Sequence, residues 1–187
     1  MVRDLGEIKA AGAAGVLLRE YLLPDSSMLE LASAARDIFC DGWLGIHDRV
    51  HVALLVEADG VHLGGRSMAS AVVDEISSGR AVLGVSHHLE ELELDSLDCS
   101  YRFLSPIFAP TSKPLYGEAL DIPGLQRATL KDRTWALGGV TAPRVADILS
   151  CGVAGVAAIG AIFDGGDVGG DMERLLLSSE CVEGLDS

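Results

Sequence analysis

A chain of 187 residues with 49% hydrophobic content is long enough to bury a real core and excludes a disordered polymer. Its 28 Asp and Glu outnumber 14 Lys and Arg, for a formal charge of −14. That excess repels phosphate backbones and anionic bilayers, so neither nucleic acid nor a membrane is an expected partner.

Short apolar runs alternate with segments of helical length. The pattern predicts a helix over 3–12, a strand over 15–20 (GVLLRE), a helix over 26–40 and a strand over 42–48 (GWLGIHD). It continues with a helix over 49–57, a strand over 60–64, a helix over 68–79, a strand over 81–87 (AVLGVSH) and a helix over 89–96. Strands over 101–108, 134–139 and 155–163 then alternate with helices over 119–129, 141–151 and 171–179. Asp25-Ser26-Ser27 and Thr141 with Pro143 are helix-start signals. Such alternation argues for parallel strands joined by helical crossovers. The expected fold is a TIM (β/α)8-type barrel apparently lacking its first strand, with seven strands and a start on a helix. One domain is expected over residues 1–187, with 165–187 as a C-terminal helix and tail.

Cys40, Cys99, Cys151 and Cys181 form no CxxC pair and have no histidine at zinc-like spacing, which reads as ordinary buried thiols of a reducing compartment. The N-terminal MVRDLGEIKAAGAAG has no apolar signal segment and no run approaches the length of a membrane span, so the expectation is a cytoplasmic protein. Homo-oligomerisation is left open.

In barrels of this class the C-terminal ends of the strands face the active-site mouth. The candidate rim is therefore Arg19, Glu20 and Tyr21, then His47 and Asp48, Gly64–Ser67, Ser86 with His87 and His88, Ser105 with the 110–113 loop, Gly138-Gly139, and Ile159-Gly160. Glycines at the last two strand ends let main-chain N–H groups approach an anion, so Gly138, Gly139, Ile159 and Gly160 are candidate phosphate ligands; the alternative is that they simply make tight turns. Lys113 either reaches the same anion or is a solvated loop lysine. His88 is placed to pass protons near neutral pH, or else caps a helix. Arg19 suits a carboxylate or phosphate by bidentate hydrogen bonding, or pairs with Glu20. Asp48 offers one carboxylate to a magnesium ion, or else orients Arg49. His62 reads as a core histidine.

The segments LLREY, IHDRVHVALLVEADGVHLG, LGVSHH, SPIFAPTSKP, LGGVTAPRV and CGVAGVAAIGAIF together resemble the thiamine-phosphate synthase and TenI superfamily, over about residues 12–165. The resemblance implies a TIM barrel that binds a thiazole phosphate, with one of two activities. Synthases couple a pyrimidine diphosphate to the thiazole phosphate with Mg²⁺ assisting pyrophosphate departure. TenI-type tautomerases aromatise a thiazole carboxylate phosphate by proton transfer, without a cofactor. The synthase pattern has QxRxK on the second barrel strand, Asn-Asp on the third and GQxD on the fourth. Here Arg19 and Asp48 match, whereas Leu17, Tyr21, His47 and Ser67 stand where glutamine, lysine, asparagine and the second aspartate are expected.

The TenI pattern has a histidine where His47 stands, a serine-like residue at Ser67 and an acid/base histidine at His88, but no aspartate at position 48. Pro110 and Gly160 depart from the superfamily's threonine and serine at those positions. The expectation is a TenI-like tautomerase, with His88 relaying the proton and Arg19 gripping the carboxylate. The glycines and Lys113 would hold the phosphate, and His47, Ser67, Ser86 and Tyr21 would line the substrate. The alternatives are a synthase using Asp48 and Mg²⁺, and a non-catalytic binding or regulatory relic.

Overall fold

The computed structural model describes residues 1–88, 98–109 and 118–183, with 180–183 described in main chain only. Its contacts separate the chain into two compact units. The first comprises Met1–Val85 with Asp98–Ser100, and the second takes the rest from Ser86 onward.

In the first unit, α1 (Val2–Ala10) precedes β1 (Gly15–Leu18), followed by α2 (Asp25–Ile38), β2 (Trp43–His47), α3 (Val50–Leu55), β3 (Gly60–Leu63), α4 (Ser70–Ser77) and the start of β4 (Val82–His87). The strands pair in chain order and in parallel, with Gly15 opposite Trp43, Gly45 opposite Gly60 and Gly60 opposite Val82. Parallel pairing follows from the helical crossovers, since a helix between two strands returns the chain to the same end of the sheet. The glycine pattern has a packing cause. Trp43 lies so close to the neighbouring strand that a Cβ on Gly60 would sit 2.8 Å from its ring. The core is largely aliphatic: Met28, Ala32, Ala35, Leu44, Ile46 and Val61 are buried, together with Phe39.

The second unit carries the end of β4, then β5 (Tyr101–Leu104), α5 (Asp121–Arg127), β6 (Thr134–Leu137), α6 (Ala142–Leu149), β7 (Gly155–Ala157), α7 (Gly160–Phe163) and α8 (Val168–Glu183). β5, β6 and β7 are parallel neighbours. Leu104, Ile107, Leu125, Ala136, Val145 and Ile148 form the core. Arg102 is fully buried on β5; it donates from Nε to Thr134 Oγ1 (2.8 Å) and from Nη2 to the Thr129 carbonyl, as a buried guanidinium must to offset its desolvation.

Several expected boundaries move. The 155–163 run is not one strand: β7 ends at Ala157, Ile159 leaves the extended region at φ −125°, ψ −70°, and Gly160 opens a helical turn. β5 stops at Leu104 rather than 108, just before Ser105-Pro106, where proline has no N–H to give a ladder. β1 stops at Leu18, so Arg19 and Glu20 follow the strand. The helix expected over 89–96 lies outside the described residues. Cys40 is exposed, not buried, because it follows the C-terminal end of α2 rather than lying on its inner face.

Candidate functional site

The first unit gathers a polar cluster at the ends of β1, β2 and β3. His47, the last residue of β2, is buried at 7% exposure. Asp48 follows it in the left-handed region (φ 62°) and donates its N–H to the His62 carbonyl (3.1 Å). This backbone turn aims the Asp48 carboxylate at two partners. Oδ1 accepts from the Ser67 hydroxyl, while Oδ2 lies 3.0 Å from His47 Nδ1. That second approach falls outside hydrogen-bond geometry. Ser67 Oγ in turn accepts the Gly64 N–H at 2.6 Å.

The His47 ring meets Tyr21 edge-on at 5.4 Å between centroids and lies 5.6 Å from His62. Arg19 donates Nε to the Tyr21 hydroxyl (3.0 Å) and stacks over its ring at 4.6 Å, a cation–π contact that replaces the expected alternative pairing with Glu20. Arg49 is not Asp48's partner. It donates to Asp25 Oδ1 and to the carbonyls of Glu20 and Leu23, and so pins the segment that follows Arg19 and Tyr21.

Burial lowers the His47 pKa; Asp48 opposes this and Arg19 reinforces it. His62 is pushed down to about 3, first by burial and then by His47 and Arg19. Its place in the core agrees with the sequence expectation. Both imidazoles are therefore neutral at pH 7.

The second unit holds the other candidates. β4 ends on Ser86 and His87, and the His87 carbonyl accepts the Ser105 N–H (3.1 Å). The adjacent His88 is exposed, with Nδ1 2.8 Å from the Ser105 carbonyl. A carbonyl only accepts, so Nδ1 carries the proton and the neutral ring has its lone pair at Nε2.

Gly138 and Gly139 follow β6 at φ +94° and +63°. A Cβ on Gly138 would lie 2.9 Å from Pro106 Cα, and one on Gly139 would lie 2.7 Å from both Phe108 Cβ and the Phe108 carbonyl oxygen. Only glycine fits either place. The Phe108 N–H is donated to the Gly138 carbonyl at 3.0 Å. Among the described residues, neither the Gly139 nor the Gly160 N–H is a donor in any hydrogen bond. The glycines thus serve a tight turn and also leave main-chain donors open. Ile159 is 58% exposed. Gly160 begins α7, and a Cβ there would lie 2.9 Å from Asp164 Oδ2, so a carboxylate borders that turn. Lys113 and Pro110 lie outside the described residues.

One residue escaped sequence reasoning. Arg144, in the first turn of α6, donates Nη1 to the Gly139 carbonyl (2.8 Å) and stacks on Phe108 at 4.2 Å. The available signal was a cation in the first turn of a helix, where the helix dipole disfavours it.

Asp48 is the carboxylate of this cluster that a magnesium ion would use, with Oδ1 accepting from Ser67 and Oδ2 beside His47; no group of three His, Cys, Asp or Glu among the described residues is arranged to hold a metal. Nor is any described helix long and apolar enough to cross a membrane.

Parallel strands alternating with helices, with polar residues and open turns at the strand ends, define an α/β protein of the TIM-barrel class. A solved thiamine phosphate pyrophosphorylase from Pyrococcus furiosus is similar to the chain with a TM-score of 0.87 at 30% identity, covering 97% of this chain and 90% of that one. A 3-hexulose-6-phosphate synthase shares the fold with a TM-score of 0.72 at 15% identity, covering 95% of this chain and 92% of that one. The thiamine-phosphate synthase of Moorella thermoacetica is 32% identical over 174 residues, 89% of this chain and 82% of that protein. The family model described as thiamine monophosphate synthase (TMP-TENI) matches residues 2–162. The chain belongs to this family of thiamine biosynthesis.

Proposed function

We propose that the protein binds a thiazole phosphate and catalyses a TenI-like tautomerisation, aromatising a thiazole carboxylate phosphate by proton transfer. The observation that carries this reading is the His88–Ser105 hydrogen bond. It fixes the imidazole in the tautomer with a basic Nε2, the form a proton acceptor needs. In the proposed step, Nε2 takes the proton from a ring carbon, the electron pair left behind shifts along the conjugated system, and the imidazolium returns the proton to the substrate at the other end of that system.

The open N–H groups of Gly139 and Gly160 are assigned the phosphate, together with Gly138, Ile159 and Lys113. Ser86, in the same unit as His88 and the glycine turns, is assigned to substrate lining.

The test is turnover of thiazole carboxylate phosphate by wild type and His88→Gln. The variant should lose at least about 100-fold in kcat while retaining affinity for the thiazole phosphate. Unchanged kcat removes His88 from the mechanism.

A second reading, thiamine-phosphate synthase, is favoured by the names of the relatives and by the retained Asp48. Magnesium-dependent pyrophosphate release from pyrimidine diphosphate and thiazole phosphate supports it, and Asp48→Asn abolishes that release if it holds. Tight binding with neither turnover points instead to a non-catalytic relic.

A further inference from the structure

We propose that Arg144 is a specificity-determining residue that selects phosphorylated over unphosphorylated ligand; this rests on the phosphate-binding reading of the Gly138-Gly139 turn. Three observations converge on it. Arg144 stands third in α6, after Thr141 at the N-cap and Pro143, in a first turn that holds no acidic residue. A cation at a helix N-terminus opposes the dipole, so its position has to be compensated. The compensation is local. Nη1 donates to the Gly139 carbonyl at 2.8 Å, and the guanidinium lies 4.2 Å from the Phe108 ring centroid.

These contacts hold the planar fork against the glycine turn whose Gly139 N–H has no protein acceptor among the described residues. They use one N–H of the guanidinium and one of its faces. The remaining N–H groups are suited to a dianionic oxygen cluster, which guanidinium recognises better than a point charge does. A bound phosphate dianion also converts the unfavourable dipole term at α6 into a favourable one. In a chain of net charge −14, a phosphate ester needs such a local cation. Asp164, bordering Gly160, makes the need greater.

The experiment is isothermal titration of wild type, Arg144→Gln and Arg144→Lys with thiazole phosphate, its dephosphorylated alcohol and inorganic phosphate, at pH 5 and pH 7.5. Arg144→Gln is expected to weaken thiazole phosphate by about 10-fold or more and leave the alcohol within twofold, while Arg144→Lys falls between it and wild type. The wild-type gain in affinity between the two pH values, as the ester passes its second ionisation near 6, should be largely lost in Arg144→Gln. That differential separates ligand recognition from a structural role.

Affinity for the ester within twofold of wild type overturns the proposal, as does an equal loss for ester and alcohol. Should Arg144→Gln fail to fold, Phe108→Leu removes the stacking platform without removing charge. It is expected to weaken the ester about threefold and spare the alcohol; no change for the ester counts against the proposal. If wild type binds the alcohol but neither the ester nor inorganic phosphate, the phosphate reading itself fails. An Arg144→Gln variant that binds the ester normally leaves that reading standing and sinks only this one.

Discussion

His62 illustrates how one buried side chain sets a pH response. Its pKa is pushed down to about 3 by burial, whereas an unfolded histidine titrates near 6.5. Between those values the unfolded chain binds a proton that the folded chain refuses. Stability is therefore fully present above about pH 6.5 and is lost as pH falls toward 3, with a slope of up to about 1.4 kcal/mol per pH unit from this residue. Urea unfolding of wild type and His62→Gln between pH 7 and pH 4.5 checks this: the acid limb should be shallower in the variant, and parallel curves refute it. Gly139→Ala provides a second residue-scale test. The added methyl meets Phe108 at 2.7 Å on a backbone at φ +63°, so a loss of about 2 kcal/mol is expected, read as a shift in urea midpoint. The presence of these residues was legible in the sequence, but their neighbours were not. His62 read as core from its place in a strand, whereas the Arg144–Phe108 stack joins residues 36 positions apart and carries no local periodicity.

At the scale of elements, the order of strands and helices was readable because hydrophobic period and helix-start residues agree through most of the chain. Thr141 and Pro143 opened α6 as expected. The errors lie where apolar composition persists after the backbone has turned: GVAAIGAIF is apolar throughout, yet it contains β7 and the separate turn α7. Periodicity cannot find such a break, because the torsion at Ile159 creates it. The link after β1 is held by Arg49, whose side chain bridges Asp25 and the carbonyls of Glu20 and Leu23. Arg49→Met should destabilise the fold by about 2 kcal/mol, as hydrogen bonds to a charged group are lost. It should also speed amide exchange over residues 20–25 by at least about tenfold. Exchange at the wild-type rate would show that this segment is held by other contacts.

For the whole molecule, net charge and family membership set the terms. A formal charge of −14 makes the folded chain repel itself, and added salt screens that repulsion. The melting temperature is therefore expected to rise as sodium chloride goes from about 20 to about 300 mM, and a fall would indicate that ion pairs such as Lys9–Asp41 outweigh the repulsion. Membership of the thiamine monophosphate synthase family was legible from six motifs, because strand-end segments retain their residues and spacing. The chemistry was less legible, since it turns on which partners engage Asp48 and which tautomer His88 adopts. The central claim, a phosphoester held by open main-chain amides of the second unit, is tested most directly by ¹H–¹⁵N NMR during titration with thiazole phosphate. The amides of Gly139 and Gly160 should shift with the phosphate ester and stay in place with the unphosphorylated alcohol; amides that move equally for both ligands, or for neither, contradict it.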